Sequence, residues 1–405
     1  MRTTSLAIFP FLFALAPLSL SADWTGFRGD GTSVAADQKT PVKWTADADK
    51  AENIAWKTPL PGNGVACPIV VGDRVFVTAA SGGKNDRLHV ICLDKATGKQ
   101  LWERQFWATG RTLCHPSSSV AANTPATDGQ RIFAFFSSND LICLDLDGNL
   151  QWYRGLTVDY PLAGNDIGMS SSVVVADGVV IVQSEAQGDS FAAGFDANTG
   201  ETKWRIDRDK SAHWASPVVA AGKTAGESVV LLTNGKGVSA HDPSDGQQIW
   251  LNAKPCDGIS SCVYVGDVAY VPGDGLRALK FTGSSSPELL WTQNKLNAGA
   301  ASPIVHDGKV YVINRAGVLN AADAATGNPL WQLRLKGQFW ATPVIADGKL
   351  YATAKDGLIQ VVDLTKEKGE VLAENPLNEE IMATPAIADG AIFVRSNQHV
   401  WKLGK

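Results

Sequence analysis

Eight side chains in this sequence are of types that can do chemistry in a shared pocket: His115, Asn165, Asp166, Glu185, His213, Trp214, Asp257 and Trp340. Imidazoles, an amide, carboxylates and indoles are the makings of a polar pocket with stacking walls, the usual composition of a small-molecule site. Alternatives stay open for several of them. Trp214 and Trp340 can serve as apolar plugs, and His115 and His213 can be held by loop carbonyls. Glu185 lies in Gln183-Ser-Glu185-Ala-Gln187-Gly-Asp189. Its polar alternation fits either a strand end that presents functional groups or a plain connection between strands.

Known catalytic patterns fail on inspection. Gly222-Lys223-Thr224 imitates the end of a phosphate-binding loop, but Pro217 holds the position of the first required glycine. Asp145-Leu-Asp147-Gly148-Asn149 imitates a calcium loop, yet Leu156 stands where an acidic twelfth residue is needed. No nucleophile-elbow sequence occurs. The six cysteines, Cys67, Cys92, Cys114, Cys143, Cys256 and Cys262, form no C-x-x-C pair and no zinc spacing. The expectation is a site without catalytic residues or metal.

The elements that must position these groups are written in a repeat. Asp94-Gly98-Trp102, Asp196-Gly200-Trp204, Asp242-Gly246-Trp250 and Asp323-Gly327-Trp331 share one spacing. Each phrase closes a longer unit, seen most cleanly from Ser302-Pro303 to Trp331. In that unit, three short alternating apolar runs are separated by Asp-Gly or Gly turns, and a fourth opens at Thr326-Gly327. The unit reads as a four-stranded antiparallel meander. Trp102, Trp152, Trp204, Trp250, Trp291 and Trp331 set a period that drifts between 40 and 52 residues, as in propeller blades.

Counting strand openers gives Cys67, Thr124, Ser171-Ser172, Ser216, Ser260-Ser261, Ser302, Thr342 and Thr384, hence eight blades. The last unit lacks a terminal strand, while Ile54-Ala-Trp56-Lys-Thr-Pro-Leu60 reads like one without a unit. The fold predicted is all-β: an eight-bladed propeller of four-stranded antiparallel blades, closed by the strand around Trp56 completing the C-terminal blade. Radial packing buries each blade face on its neighbour.

Within the repeat, Asp and Gly suit the turn and Trp suits packing between blades. These residues read as architecture. Blade two shortens its turn to Asp145–Gly148, blade five has Lys280 in place of Asp, and blade seven carries Lys366-Glu-Lys-Gly369 with no nearby Trp. Blades five and seven are expected to dock most weakly. The loops entering each first strand converge on one mouth of the channel and carry seven of the eight candidate residues; Glu185 lies instead between the second and third strands of its blade.

The A-x-D-x-x-T-G-x-x-x-W form at Ala321 to Trp331 resembles the tryptophan-docking repeat of the pyrroloquinoline quinone (PQQ) repeat superfamily, over nearly all of residues 23–405. Asp23-Trp-Thr-Gly-Phe-Arg-Gly-Asp-Gly31 looks like the W-x-x-F-R-G-x-x-G opening of exported PQQ-like proteins of planctomycete-type bacteria. The superfamily includes quinone-dependent alcohol and glucose dehydrogenases, the propeller lipoprotein of outer-membrane β-barrel assembly, and exported proteins of no known activity. The resemblance implies PQQ with calcium for a dehydrogenase, held beside adjacent cysteines and by a Glu, Asn and Asp set. No Cys-Cys pair exists here, and Asn165, Asp166, Glu185, Asp189 and Asp257 do not complete a ligand set. The leading expectation is a non-catalytic binding or protein-interaction scaffold with a small-ligand pocket at the channel mouth. A divergent dehydrogenase and an envelope-assembly scaffold are the alternatives.

Residues 1–22 combine Arg2, an apolar stretch from Leu6 to Leu20 and Ser21-Ala22, the layout of a cleaved signal peptide, with an uncleaved anchor as the alternative. The domains expected are 1–22 signal peptide, 23–52 N-terminal extension and 53–405 propeller. The product would be a periplasmic or extracellular monomer without a membrane span. Its partner would be an unknown protein or small molecule. A net charge of −5 offers no basic surface for nucleic acid. Cys92 and Cys143 are expected in the core, and Cys256 and Cys262 flank a loop that a disulfide could bridge.

Overall fold

The computed structural model describes residues 23–47, 51–222, 227–281 and 286–405. The expected signal peptide, 1–22, lies outside them, as do Lys223 and Thr224. Eight separate sheets surround a central channel, and almost all regular structure is strand. Blade six shows the pattern: Ile304–His306 innermost, then Lys309–Ile313, Val318–Asp323 and Pro329–Arg334 outermost. Its first hairpin turns through Asp307-Gly308 at φ 48° and 67°. Positive φ at both turn positions matches the right-handed twist of the flanking strands, which explains the recurring Asp-Gly.

The ring closes as the repeat predicts. Ile54–Pro59 pairs antiparallel with His399–Leu403, with Trp56 opposite Lys402, and the Gly404 N–H donates to the Asn53 carbonyl at 2.9 Å. One blade is therefore built from both ends of the described chain.

Blades are joined by an indole seated on a glycine of the next blade. A Cβ on Gly200 would stand 2.6 Å from the Trp152 ring, on Gly148 2.7 Å from Trp102, and on Gly98 2.5 Å from Trp56. The same glycines hold φ of 71° to 83°, which only glycine adopts freely. Each of these indoles also donates to the next blade, from Trp56 Nε1 to the Lys95 carbonyl at 3.0 Å and from Trp152 Nε1 to the Ala197 carbonyl at 3.1 Å. In blades one to six a small residue stands opposite the Trp across its own blade: Cys92, Cys143, Gly194, Ala240, Ala278 or Ala321. Cys92 and Cys143 are fully buried there, and burial pushes both thiols up to about 12. The repeat Asp folds back on its own turn, as where Asp94 Oδ1 accepts the Thr97 N–H at 2.7 Å and hydroxyl at 2.6 Å.

The departures acquire a reason. Blade seven carries no Trp because blade eight has no third-to-fourth-strand turn to receive one; the chain ends meet there instead. Trp44 from the extension is buried in the cluster that includes Ala373 and Leu403, its backbone N–H on the Asn375 side chain at 3.2 Å. That joint is thus covered. Trp331 does seat on Gly369, but its Nε1 has no acceptor in blade seven's altered turn. In blade five Lys280 pairs with Asp267 at 3.4 Å, and Phe281 meets Trp250 edge-on at 5.0 Å.

Residues 23–46 are more than an extension. They cross the mouth opposite the first-strand loops and touch successive blades. Trp24 bridges to Val70 of blade one, the Thr25 carbonyl accepts from Thr127 of blade two, and Arg28 Nη2 donates to the Cys262 carbonyl of blade five at 2.7 Å. Val34–Ala35 then adds a parallel fifth strand to blade seven against Ile345–Ala346, and Gln38 accepts from Gly390 of blade eight. The segment plugs the channel.

Gly200→Val is expected to lose at least about 2 kcal/mol of stability, because it adds both backbone strain and a collision with Trp152. Gly178→Ala has a similar φ of 74° with nothing within 4 Å of the added carbon, and should lose only about 1 kcal/mol. Urea denaturation of the two variants checks the difference. Trp44→Ala should lose about 3–5 kcal/mol by the same measurement if this residue fills the last joint.

Candidate functional site

The residues that open the first strands form a closed belt. The Cys67 N–H donates to Thr124 Oγ1 at 3.1 Å, Thr124 to Ser172 Oγ at 3.0 Å, Ser172 to Ser216 Oγ at 2.9 Å and Ser216 to Ser261 Oγ at 2.9 Å. Ser261 continues to Ser302 Oγ at 3.0 Å, Ser302 to Thr342 Oγ1 at 3.1 Å and Thr342 to Thr384 Oγ1 at 3.0 Å. The Thr384 N–H and hydroxyl then act on the Cys67 sulfur, which closes the belt with a thiol in place of a hydroxyl. Local sequence explains the geometry. Pro68, Pro125, Pro217, Pro303, Pro343 and Pro385 follow belt residues. A proline forces its predecessor into extended backbone and needs no partner for an absent N–H.

The belt rings a cavity of about 380 Å³. Its floor is Phe27 of the plug; His115, Ile167, Trp214, Ile259, Trp340 and Met382 rise around it. Trp214 is fixed by two bonds, its Nε1 to the Gly168 carbonyl at 2.7 Å and its N–H to the Gly258 carbonyl at 2.7 Å. Trp340 is 41 % exposed and forms a free edge. His115 Nδ1 accepts the Ser117 N–H at 3.1 Å. Of the eight residues singled out in the sequence, the structure brings these three, His115, Trp214 and Trp340, onto the cup.

The other five stand outside it. Asp166 pairs with Arg111 at 2.9 Å on the surface. Asn165 is buried and shapes its own loop, Oδ1 accepting the Ile167 N–H at 3.1 Å. Asp257 Oδ1 caps its loop by accepting from Ile259 at 2.8 Å and Ser260 at 3.1 Å. Glu185 is fully buried at the end of Val179–Ser184 and bonds Arg208 Nε through Oε1 at 2.6 Å. Its backbone bridges to His213, the neighbour of Trp214. Burial pushes Glu185 up to about 7 even against the pull of Arg208, and burial likewise holds His213 below the usual imidazole range. Glu185 Oε2, Arg208 Nη2 and His213 Nδ1 are buried without partners among the described residues. This cluster lies behind the wall and shapes the loop that carries Trp214.

Cys256 and Cys262, open to bridging in the sequence, are free thiols. The Cys256 sulfur is turned onto Arg277 Nη2 at 3.5 Å, while Cys262 is sealed next to the belt, where its carbonyl takes Arg28. Burial pushes them up to about 11 and about 12.

Sequence reasoning missed Phe27, Arg28, Arg395 and the chemical use of the belt. Signals existed: the Phe27-Arg28-Gly29 of the opening motif, and the strand openers used only for counting. Arg28 and Arg395 are each 1 % exposed. Burial pulls them down to about 10 and about 9.

The donor set does not fit calcium-bound quinone. No carboxylate lines the cup, and no cluster of three or more His, Cys, Asp or Glu side chains suited to a metal occurs among the described residues. A hard divalent cation needs carboxylate or several carbonyl oxygens.

Comparison with known proteins places the chain among propellers of two kinds. It is 26 % identical over 304 residues to outer membrane protein assembly factor BamB of Burkholderia pseudomallei, covering 71 % of this chain and 68 % of that one. It is 24 % identical over 375 residues to polyvinylalcohol dehydrogenase of Sphingopyxis, covering 80 % of this chain but 52 % of that one, so it spans about half the dehydrogenase. Among solved structures, quinohemoprotein alcohol dehydrogenase of Comamonas testosteroni superposes with a TM-score of 0.71 at 15 % identity over 95 % of this chain and 81 % of its own. BamB of Moraxella catarrhalis gives 0.62 at 16 % over 86 % and 97 %. At these identities the solved structures bear on fold alone. A family profile matches residues 16–167, 164–272 and 282–372, and on that match the chain belongs to the PQQ-repeat propeller family described as outer membrane protein assembly factor BamB.

Proposed function

We propose that this chain is an exported propeller that works by binding, taking a small ligand or a projecting partner side chain into its cup. The carrying observation is the lining of the cup: hydroxyls, one thiol, two indoles and one imidazole, with no carboxylate to orient that imidazole or act as a base beside it. General acid–base chemistry needs such a pairing or a group tuned for it. The rim favours a protein partner as well, since Leu113, Leu162, Ile167 and Trp340 stand exposed on the loops around the mouth. The likeness to assembly factors supports that interaction role. Export rests on the layout of residues 1–22. No helix among the described residues is long and apolar enough to cross a membrane.

Similarity to dehydrogenases gives the enzymatic reading its support, and the donor set counts against it. Adding PQQ and calcium to the purified protein should give neither a saturable absorbance change nor dye reduction with alcohols; either result would replace the binding reading with an oxidoreductase. For the cup itself, neutral, anionic and cationic benzyl compounds are titrated against tryptophan fluorescence. At least one should quench saturably, and Trp340→Ala should weaken it about fivefold by removing a wall. Silence from the whole set would sink the cup as a site.

The Glu185 cluster is assigned a supporting role, and its protonation gives a separate check. Folded Glu185 keeps its proton to about pH 7, against a usual carboxyl value of 4.5. The folded state therefore binds more protons across that window, and stability falls as pH rises through it. Glu185→Gln should flatten this slope and exceed the unmodified protein in urea midpoint at pH 8, while changing ligand quenching little.

A further inference from the structure

The cup has a chemical preference that the binding reading leaves open, and we propose that its ligand is a small organic anion: a carboxylate head seated in the belt, on an apolar body held by the indole walls. The proposal rests on the cup being a binding site and adds the class of ligand.

The belt carries the first part of the argument. Each belt oxygen already accepts an N–H from the preceding blade. Its own hydroxyl hydrogen is left to donate; Thr124 and Thr384 spend theirs on the Cys67 sulfur, while belt hydroxyls from Ser172 round to Thr342 find no acceptor for it among the described residues. A hydroxyl so engaged offers the lumen a donor more readily than an acceptor. Hydroxyls from successive blades converge on one axis, and the group that satisfies converging donors is an acceptor-only one.

Charge supplies the second. Arg28 and Arg395 are buried beside the belt, and both act electrostatically on its Cys67. Each spends one nitrogen on a carbonyl, Arg28 Nη2 on Cys262 and Arg395 Nη1 on Ala66 at 3.3 Å, while Arg28 Nε and Nη1 and Arg395 Nε and Nη2 have no partner among the described residues. A buried cation without an ion pair is costly; Asp30 offsets Arg28 only in part and no carboxylate among the described residues offsets Arg395, so around one belt the two make a field that a carboxylate relieves. Gly64 is fitted to this arrangement: a Cβ there would meet Arg395 Nη2 at 2.0 Å. No acidic side chain lines the cup to oppose an anion. Phe27 below and Trp214 and Trp340 at the sides then give the apolar body its seat.

The test uses the chain from residue 23 onward and four probes: benzoate, the isosteric neutral benzamide, benzylamine and inorganic phosphate, followed by calorimetry and tryptophan quenching. Benzoate should bind at least about tenfold more tightly than benzamide, as a charge-assisted site requires, and benzylamine most weakly. Arg395→Met should cut benzoate affinity about tenfold while leaving benzamide within about twofold. The probe series on the unmodified protein decides the matter even where that variant does not fold. Equal binding of benzamide and benzoate would overturn the anion preference and leave the cup standing as a site. Phosphate binding as tightly as benzoate would overturn the apolar part of the assignment. Failure of all four probes would remove the anion and the cup together.

Discussion

The seat of an indole on a glycine of the neighbouring blade is the constraint from which the rest of this structure follows. It fixes the distance and tilt between blades, because the ring lies where any Cβ would stand, as at Gly200 against Trp152. In blades one to six it dictates the small residue behind the Trp, since Cys92, Gly194 or Ala321 must leave room for the ring crossing them. It also orders the belt at the far end of the innermost strands. Only when all blades repeat one angle do their strand openers come within hydrogen-bond reach in unbroken succession. A buried N–H without an acceptor costs about 1–3 kcal/mol, so the belt in turn penalises any blade that departs from the angle.

What the sequence reveals and what it hides divide along this line. The blade count and the closing strand were legible because packing between repeats demands the same residues each time, and a missing strand at one end had an evident donor at Trp56. The cup was half legible. His115, Trp214 and Trp340 reach it, yet Asn165 and Asp257 are spent on turns of their own loops, and Glu185 faces an arginine behind the wall. Type and position along a loop suggest which groups can meet, but the direction of a side chain follows from local hydrogen bonds that vary from loop to loop.

The residues that escaped notice did so for opposite reasons. The belt serines and threonines repeat so regularly that they read as strand punctuation, when the repetition is what turns single hydroxyls into a ring of donors. Phe27, Arg28 and Gly29 occur once, in a segment without strand periodicity, and their place follows from long-range contacts with blades one, two, five, seven and eight. Such contacts leave no local pattern. Trp44 belongs with them, a repeat residue displaced to the far end of the chain, where its spacing no longer announces it.

The plug and the seam share one stretch of chain. Residues 23–46 are pinned across the channel from Trp24 to Gln38, and Ile54–Pro59, the strand that zips the last blade, follows them closely in sequence. Unzipping that strand does not by itself free the N-terminal end, because the thread behind it is anchored to the far side of the ring. The circle is thus drawn shut like a purse with its string passed through the opening. Phe27 lines the cup and belongs to that string, so a ligand that packs on it would favour the closed circle, and the closed circle the ligand.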